Sequence, residues 1–350
     1  MSHVTSSQIH GRVLRFQDSN GEYGLGEIVF SPALPEPDRK LRIEDEHSYL
    51  AALIGKPFDF LTKYAATVAR RDKSWRGIAF ALETAWLDWR GKQTGQSVSQ
   101  LLGDTVQTGV PDYFSISESG IPGIQSRIEK AGNAYRVFQL KLGIGSLNRD
   151  IEQLLAILDV LDPGQTIQAD ANGGWTVDEA CDIIDQIEDE RIIWEEPCKT
   201  YDENVAVARH TSHHVMVDQC IGEPNMAIKA IDDGIAQSIC IKPAPLGGLL
   251  VARKIRDHAT AAGMRVRIDG PWCGDIASAV ILHLAVGMPR ELLISGCDLR
   301  EPVATPFNLN GARRLQGNLI APPPGIGLGL EFPEPLAGPA EKTLKIGGTF

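Results

Sequence analysis

The chain predicts an α/β protein in which parallel strands alternate with helices and close into a barrel, preceded by a smaller α+β cap. Three observations carry that prediction. From residue 110 onward, eight short β-branched or apolar runs recur at a spacing of roughly 25 residues, and the segments between them repeat apolar residues every three or four positions. Strands alternating with amphipathic helices imply a parallel sheet, and eight such units close most readily into a TIM-type barrel, here (β/α)7β. No GxGxxG follows the first run, which disfavours an open doubly wound sheet.

The runs are "VPDYFSI" from 110, "VFQLKLG" from 137, "TIQADAN" from 166, "IIWEEP" from 192, "HVMVDQ" from 214, "QSICIKP" from 237, "RVRIDG" from 265 and "LLISGCD" from 292. Between them, "RDIEQLLAILDVL", "VDEACDIIDQIED" and "LLVARKIRDHATAAG" read as helices. Ahead of residue 108, "GRVLRF" and "EYGLGEIVF" read as a hairpin around "DSNGE", and "SWRGIAFALETAWLDWRGKQTG" as a long helix with Ile78, Leu82, Ala85 and Trp89 along one stripe. Residues 1–108 are therefore expected to form the cap and 109–308 the barrel. The proline- and glycine-rich stretch "APPPGIGLGLEFPEP" reads as an ordered tail or a loose linker; the expectation is that 309–350 packs on the cap and completes it.

Composition narrows the function. Hydrophobic residues make up 43% of the 350 and charged residues 23%, as in ordinary globular proteins, and no apolar stretch is long enough to span a bilayer. A net charge of −11 repels phosphate, so neither nucleic acid nor a membrane is expected as a partner. The cysteines at 181, 198, 220, 240, 273 and 297 have no CxxC spacing, which weakens both zinc and disulfide readings. "MSHVTSSQIHGRV" lacks a cationic start with an apolar core, and the expected location is the cytoplasm.

In a parallel barrel every strand aims its carboxyl end at one face, where catalytic side chains sit. The second run ends in Lys141, the third in Asp170, the fourth in Glu195 and Glu196, the fifth in Asp218 and the sixth in Lys242. Singly, each acid reads as a helix cap or an ion-pair partner. Together, three acids at equivalent positions on adjacent strands would repel one another unless a cation neutralised them, and hard oxygen donors suit Mg²⁺. The lysines flank the acids from opposite sides of a closed ring, placed as bases whose amines a nearby dication would shift toward neutrality; the alternative is that they snorkel to the rim and pair with the acids. His213 and His214, at the foot of the fifth run, read as structural.

These motifs resemble the enolase superfamily, and within it the muconate-lactonizing-enzyme subgroup. "QLKLG" resembles its KxK strand, "DANGGW", "WEEP" and "VDQ" its three metal strands, "IKPAPLGG" its second-lysine strand, and "GLGE" with "ALETAWLDWRGKQTG" its cap. The resemblance implies Asp170, Glu195 and Asp218 as ligands of one Mg²⁺, Lys141 and Lys242 as bases, and Asn172 and Gln219 as residues that orient the ligands. The mandelate-racemase subgroup is less similar, since "RVRIDG" offers no histidine base. Gln139, in place of the first lysine of KxK, and "WCGDI" (272–276) resemble enzymes that epimerise proline-type betaines.

There are departures. Gln219 stands where the family has glutamate, the eighth run ends in "CDLREP" with Asp298 and Arg300, and the family's first cap strand and following loop are not found before "SHVTSSQIHGRV". For a cationic substrate group, Asp269, Trp272 and Asp298 are the candidates, although each equally suits capping, packing or an internal ion pair.

The implied step is removal of the proton beside a substrate carboxylate. With lysines on both faces the outcome is racemisation or epimerisation of an amino-acid-like or betaine-like carboxylate; with a leaving group on the next carbon, the same enolate makes a dehydratase or cycloisomerase. A Schiff-base aldolase using a sixth-strand lysine, or a non-catalytic barrel, is the remaining alternative. A homo-oligomer is expected from the likeness.

Overall fold

A computed structural model describes residues 11–29, 36–116, 120–270, 274–296, 313–315, 319–332, 344–345 and 348–349. The cap opens with a hairpin of β1 (Gly11–Gln17) and β2 (Tyr23–Val29), antiparallel from the Gly11–Val29 pair to the Gln17–Tyr23 pair. Its turn is built by Asp18, whose Oδ1 accepts the N–H groups of Asn20 (2.8 Å) and Glu22 (3.1 Å), as an aspartate at the head of "DSNGE" can. Residues 1–10, ahead of this hairpin, lie outside the described residues.

Helices α1 (Glu36–Ala51), α2 (Phe60–Arg71), α3 (Arg76–Thr94) and the short α4 (Val98–Leu101) complete the cap's described part. On α3 the expected stripe is the seam: Ile78, Leu82 and Ala85 are buried against the hairpin and α2, and Trp89 stacks on Phe58 at 4.5 Å between centroids. Burying an Ile or Leu of this kind contributes about 2 kcal/mol. A second face of α3, through Phe80 and Leu87, joins the core of the barrel, so this helix carries more apolar residues than a surface helix would. The "GLGE" glycines let β2 lie directly on it: a Cβ at Gly26 would stand 2.2 Å from the Ala81 carbonyl oxygen.

The run from 110 is not one strand. It divides into β3 (Val110–Pro111) and β4 (Tyr113–Ile116), with the Asp112 carboxylate accepting the Tyr113 N–H at 2.9 Å at the break. From β4 the chain alternates through α5 (Ile121–Ala131), β5 (Val137–Lys141), α6 (Leu147–Leu158), β6 (Thr166–Asp170), α7 (Val177–Gln186), β7 (Ile192–Glu195), α8 (Tyr201–His210), β8 (His214–Val217), α9 (Pro224–Asp233), β9 (Ser238–Ile241), α10 (Leu249–Ala261), β10 (Arg265–Ile268), α11 (Asp275–Ala285) and β11 (Leu293–Gly296). The eight strands β4 to β11 are parallel and lie in sequence order. They form a nearly closed barrel, and the Tyr113 hydroxyl of β4 donates across its seam to Asp269 Oδ2 at 3.0 Å.

Outward-facing Phe138, Leu140 and Ile167 pack under Ile124, Leu154, Ile157 and Ile183 of the helices, while Ile193, Met216 and Ile294 form a separate small apolar cluster. Helices α7 and α8 each begin with a capping box, Thr176 with Glu179 and Thr200 with Glu203, worth about 1 kcal/mol apiece. These caps fix the loops leaving β6 and β7. The pairing partner of β3 is supplied by the tail: β12 (Arg313–Leu315) pairs with β13 (Leu319–Ala321), and β13 pairs antiparallel with β3. Farther on, the Leu328 N–H donates to Asp88 Oδ1 at 2.9 Å and Val98 N–H to the Gly327 carbonyl at 2.8 Å, so this part of the tail is ordered against the cap helices.

Two buried glutamates of the cap seat it on the barrel. Glu27 accepts the Gly274 and Ala277 N–H groups (2.6 and 2.9 Å) at the start of α11, and Glu83 accepts the Leu250 N–H (2.9 Å) at the start of α10. Acids belong at helix amino ends, where free N–H groups and the helix dipole meet them. Burial nevertheless raises the Glu27 carboxyl above its ordinary range and pushes that of Glu83 up to about 7.

Candidate active site

Register places the site residues in two layers. Lys141 lies opposite Asp170, and Asp170 opposite Glu195, in one row across β5, β6 and β7; Asp218, Lys242 and Asp269 follow directly on β8, β9 and β10. Because side chains repeat every second residue along a strand, Gln139, Gln168, Cys240 and Arg267 lie one layer nearer the foot on the same face. From β5 to β9 is four strand steps in an eight-stranded ring, so Lys141 and Lys242 stand on opposite walls with the three acids on the strands between.

The acids are buried, at 0%, 0% and 4% exposure for Asp170, Glu195 and Asp218. The Lys141 ammonium donates to Asp170 Oδ2, and Lys242 donates to Asp218 Oδ2 at 2.5 Å. Gln139 Nε2 bridges Asp170 Oδ2 (3.0 Å) and Glu195 Oε2 (2.9 Å). Arg267 forks onto Glu195, NH1 to Oε2 at 2.7 Å and NH2 to Oε1 at 2.5 Å.

Burial, opposed by Arg267 and reinforced by Asp170 and Asp218, leaves the Glu195 carboxyl raised to about 7. Burial would also raise Asp218, yet Lys242 and Arg267 together hold it below the ordinary carboxylate range. The expectation of a Lys242 near neutrality supposes a dication beside it; among protein groups alone the balance is different. Burial is the largest single influence and would lower it, but Asp218, Cys240 and Asp269 together outweigh burial and hold the ammonium above its ordinary range. A dication sharing Asp218 would cancel that attraction and leave the lowering effect of burial.

Among the described residues, no group of three Asp, Glu, His or Cys side chains converges as a ready-made cation cluster. The three acids share one rim, but each is engaged by protein donors. Whether they still fit a dication is decided by their remaining acceptor positions, about four per carboxylate. Asp170 uses three, from Lys141, Gln139 and the Asn172 N–H (2.9 Å), Glu195 uses three, and Asp218 only the one from Lys242. Asp218 Oδ1 is buried with no hydrogen-bond partner among the described residues. A buried oxygen left in that state costs about 1 to 3 kcal/mol, and a hard cation is the partner that such an anionic oxygen set accepts. The residues fit Mg²⁺.

Asn172 and Gln219 meet: Gln219 Nε2 donates to Asn172 Oδ1 at 2.7 Å, and Asn172 is one of two non-glycine residues with positive φ (51°) among those described. The other is Glu196, at 44°. Its carboxylate accepts the Asp218 and Cys220 N–H groups at 2.5 and 2.6 Å, which fixes the turn carrying Asp218; burial and the neighbouring Asp218 raise it to about 8. Asp269 accepts from Tyr113 and, through Oδ1, from the Gly270 N–H (2.8 Å), and Glu27 rather than Asp269 caps α11. Trp272, Asp298 and Arg300 lie outside the described residues.

Sequence reasoning did not anticipate Arg267 or the use of Glu196. The available signal for the former was a charged residue two positions before the rim residue Asp269 and set between Val266 and Ile268, which puts it inside the barrel.

Comparison with known proteins places this barrel among capped α/β-barrel enzymes. A model of the mandelate racemase/muconate lactonizing enzyme N-terminal domain matches residues 1–103, and an enolase C-terminal domain-like model matches residues 124–336. The chain belongs to the enolase superfamily, in its mandelate racemase/muconate lactonizing enzyme branch. It is 33% identical over 262 residues to cis-3-hydroxy-L-proline dehydratase of Roseibium aggregatum, covering 73% of this chain and 71% of that one. It is 30% identical over 193 residues to L-amino acid-D/L-Glu epimerase of Francisella philomiragia, covering 53% of each. A crystal structure of an enolase-superfamily member from Roseovarius nubinhibens complexed with magnesium superposes with a TM-score of 0.82 at 27% identity, over 95% of this chain and 91% of that one. No helix among the described residues is long and apolar enough to cross a membrane.

Proposed function

We propose that the protein is a Mg²⁺-dependent isomerase that removes and returns the proton on the carbon beside a carboxylate, in an amino-acid-like or betaine-like acid. The observation that carries the reading is the placement of Lys141 and Lys242 on strands four steps apart, with acids on the three strands between. Asp170, Glu195 and Asp218 would hold the ion, which when bound supplies positive charge where the substrate carboxylate gathers it. Fixed charge of this kind is commonly the largest catalytic effect, and a positioned base adds about 10²- to 10⁴-fold.

The chain's own groups do the rest. Asp170 and Asp218 hold the two amines against the walls, so each approaches a substrate carbon from its own side. One neutral lysine takes the α-proton; the other, as an ammonium, gives one back on the opposite face. Asp269, with acceptor positions beyond those used by Tyr113 and Gly270, is the proposed partner of a cationic nitrogen, joined by Trp272 and Asp298.

Dehydration is the second reading, favoured by the 33% identity to a hydroxyproline dehydratase. There the electron pair of the broken C–H bond forms the double bond, the β-hydroxyl leaves with a proton from the second lysine, and water is released. Incubation of proline, 3-hydroxyproline and N-methylated prolines with the enzyme in D₂O tests both. Deuterium in both α-epimers supports the isomerase, a product lighter by one water supports the dehydratase, and no change in any of a broad panel of acids contradicts both.

A further inference from the structure

We propose that Arg267 is a positioning residue for the metal site, whose guanidinium supplies the fixed positive charge that orients Glu195 and allows three buried carboxylates to face one ion. The inference rests on the metal-binding part of the proposed function. It goes beyond it by assigning a role to a residue on the strand that contributes none of the expected ligands.

The geometry is that of a built clamp. Arg267 is 1% exposed and reaches from β10 to β7, three strand steps around the barrel, to grip both oxygens of Glu195. Its NH1 also donates to Gln168 Oε1 on β6 (2.9 Å) and its Nε to Cys240 Sγ on β9 (3.3 Å). NH2 stands 3.8 Å from Asp218 Oδ2 and 3.8 Å from Asp269 Oδ2. One guanidinium thus contacts or approaches side chains of five strands, and a planar fork held on several sides fixes a carboxylate's rotation as a flexible ammonium does not.

The count of charges gives the clamp its reason. Gln139, which touches both Asp170 and Glu195 from the adjoining strand, is neutral, and Lys141 and Lys242 are committed to Asp170 and Asp218. Glu195 therefore has Arg267 as its ion-pair partner. The fork occupies one acceptor position on Oε1, while Oε2 is filled by Arg267 and Gln139 together, so the remaining position on Glu195 belongs to Oε1. In this arrangement Arg267 selects which glutamate oxygen is presented to the ion.

A charge-relocation experiment tests the idea. Magnesium affinity is measured by calorimetry, and melting by differential scanning calorimetry of the metal-free protein, for wild type, Arg267→Met, Arg267→Lys and the double variant Gln139→Lys/Arg267→Met. The expected result is a loss of about 10- to 100-fold in magnesium affinity for Arg267→Met, a smaller loss for Arg267→Lys, and recovery of most of the Arg267→Met loss in the double variant, whose new amine would reach the same Asp170 and Glu195 oxygens. If Arg267→Met does not fold, the double variant decides: a folded, magnesium-binding protein supports the role, and failure to recover overturns it. Wild-type affinity in Arg267→Met overturns it too. Absence of magnesium binding by the wild type, in contrast, overturns the underlying metal reading.

Discussion

Gln219 Nε2 lies 2.7 Å from Asn172 Oδ1 and joins the end of β8 to the end of β6. Asn172 in turn donates its N–H to Asp170 Oδ1 at 2.9 Å, so two ligand-bearing strand ends are tied through one hydrogen-bonded pair. Partners of this kind orient metal ligands, and their loss typically costs about 10- to 100-fold in metal affinity. Gln219→Ala and Asn172→Ala are each predicted to weaken magnesium binding by that amount. The double variant should be little worse than either single one, because each breaks the same link; additive losses would show that the two residues act separately.

The two lysines carry opposite halves of the proposed proton transfer. Lys141→Met and Lys242→Met should each lower turnover by at least about 10³-fold, in the range expected for removal of a positioned acid–base group. Each variant should still exchange the α-proton of one enantiomer with D₂O, and the two should prefer opposite enantiomers. Proton NMR of the α-position reads this directly. Two variants that exchange the same enantiomer would contradict the two-wall arrangement.

Glu83 makes stability depend on pH in a stated direction. Its carboxyl titrates near 4.5 when unfolded and at about 7 in place, raised by burial. Between those values the folded chain keeps a proton that the unfolded chain has lost, so stability falls as pH rises through 7, by roughly 3 kcal/mol in all from this group. Glu83→Gln, which mimics the protonated side chain, should match wild type in urea unfolding at pH 4 and exceed it at pH 8. A difference of equal size at both pH values would show that the buried charge is not its cause.

Period and punctuation make much of this architecture legible in the amino-acid sequence. The polar residue closing each apolar run marked the rim, which is why Lys141, Asp170, Glu195, Asp218 and Lys242 could be assigned to one end of the barrel, and Asp18 with glycine nearby marked the hairpin. What periodicity reports is a face, and not the partner that covers it. Arg267 finds Glu195 at a separation of 72 residues and Glu27 finds Gly274 at 247, so neither pairing has a local signature. The division of "VPDYFSI" has the same origin, since Val110 takes its partner Ile320 from the tail. The protonation of Lys242 depends on how closely Asp218 approaches, which residue type alone does not convey.

Crystals grown with Mn²⁺, an anomalous scatterer that substitutes for Mg²⁺ at oxygen sites, address the central claim most directly. The account predicts one strong peak bonded to Asp170, Glu195 and Asp218 together, with Asp218 Oδ1 among its ligands and Lys141 and Lys242 on either side. Three carboxylates still bonded only to Lys141, Gln139, Arg267 and Lys242 at saturating Mn²⁺, with no peak between them, would contradict it.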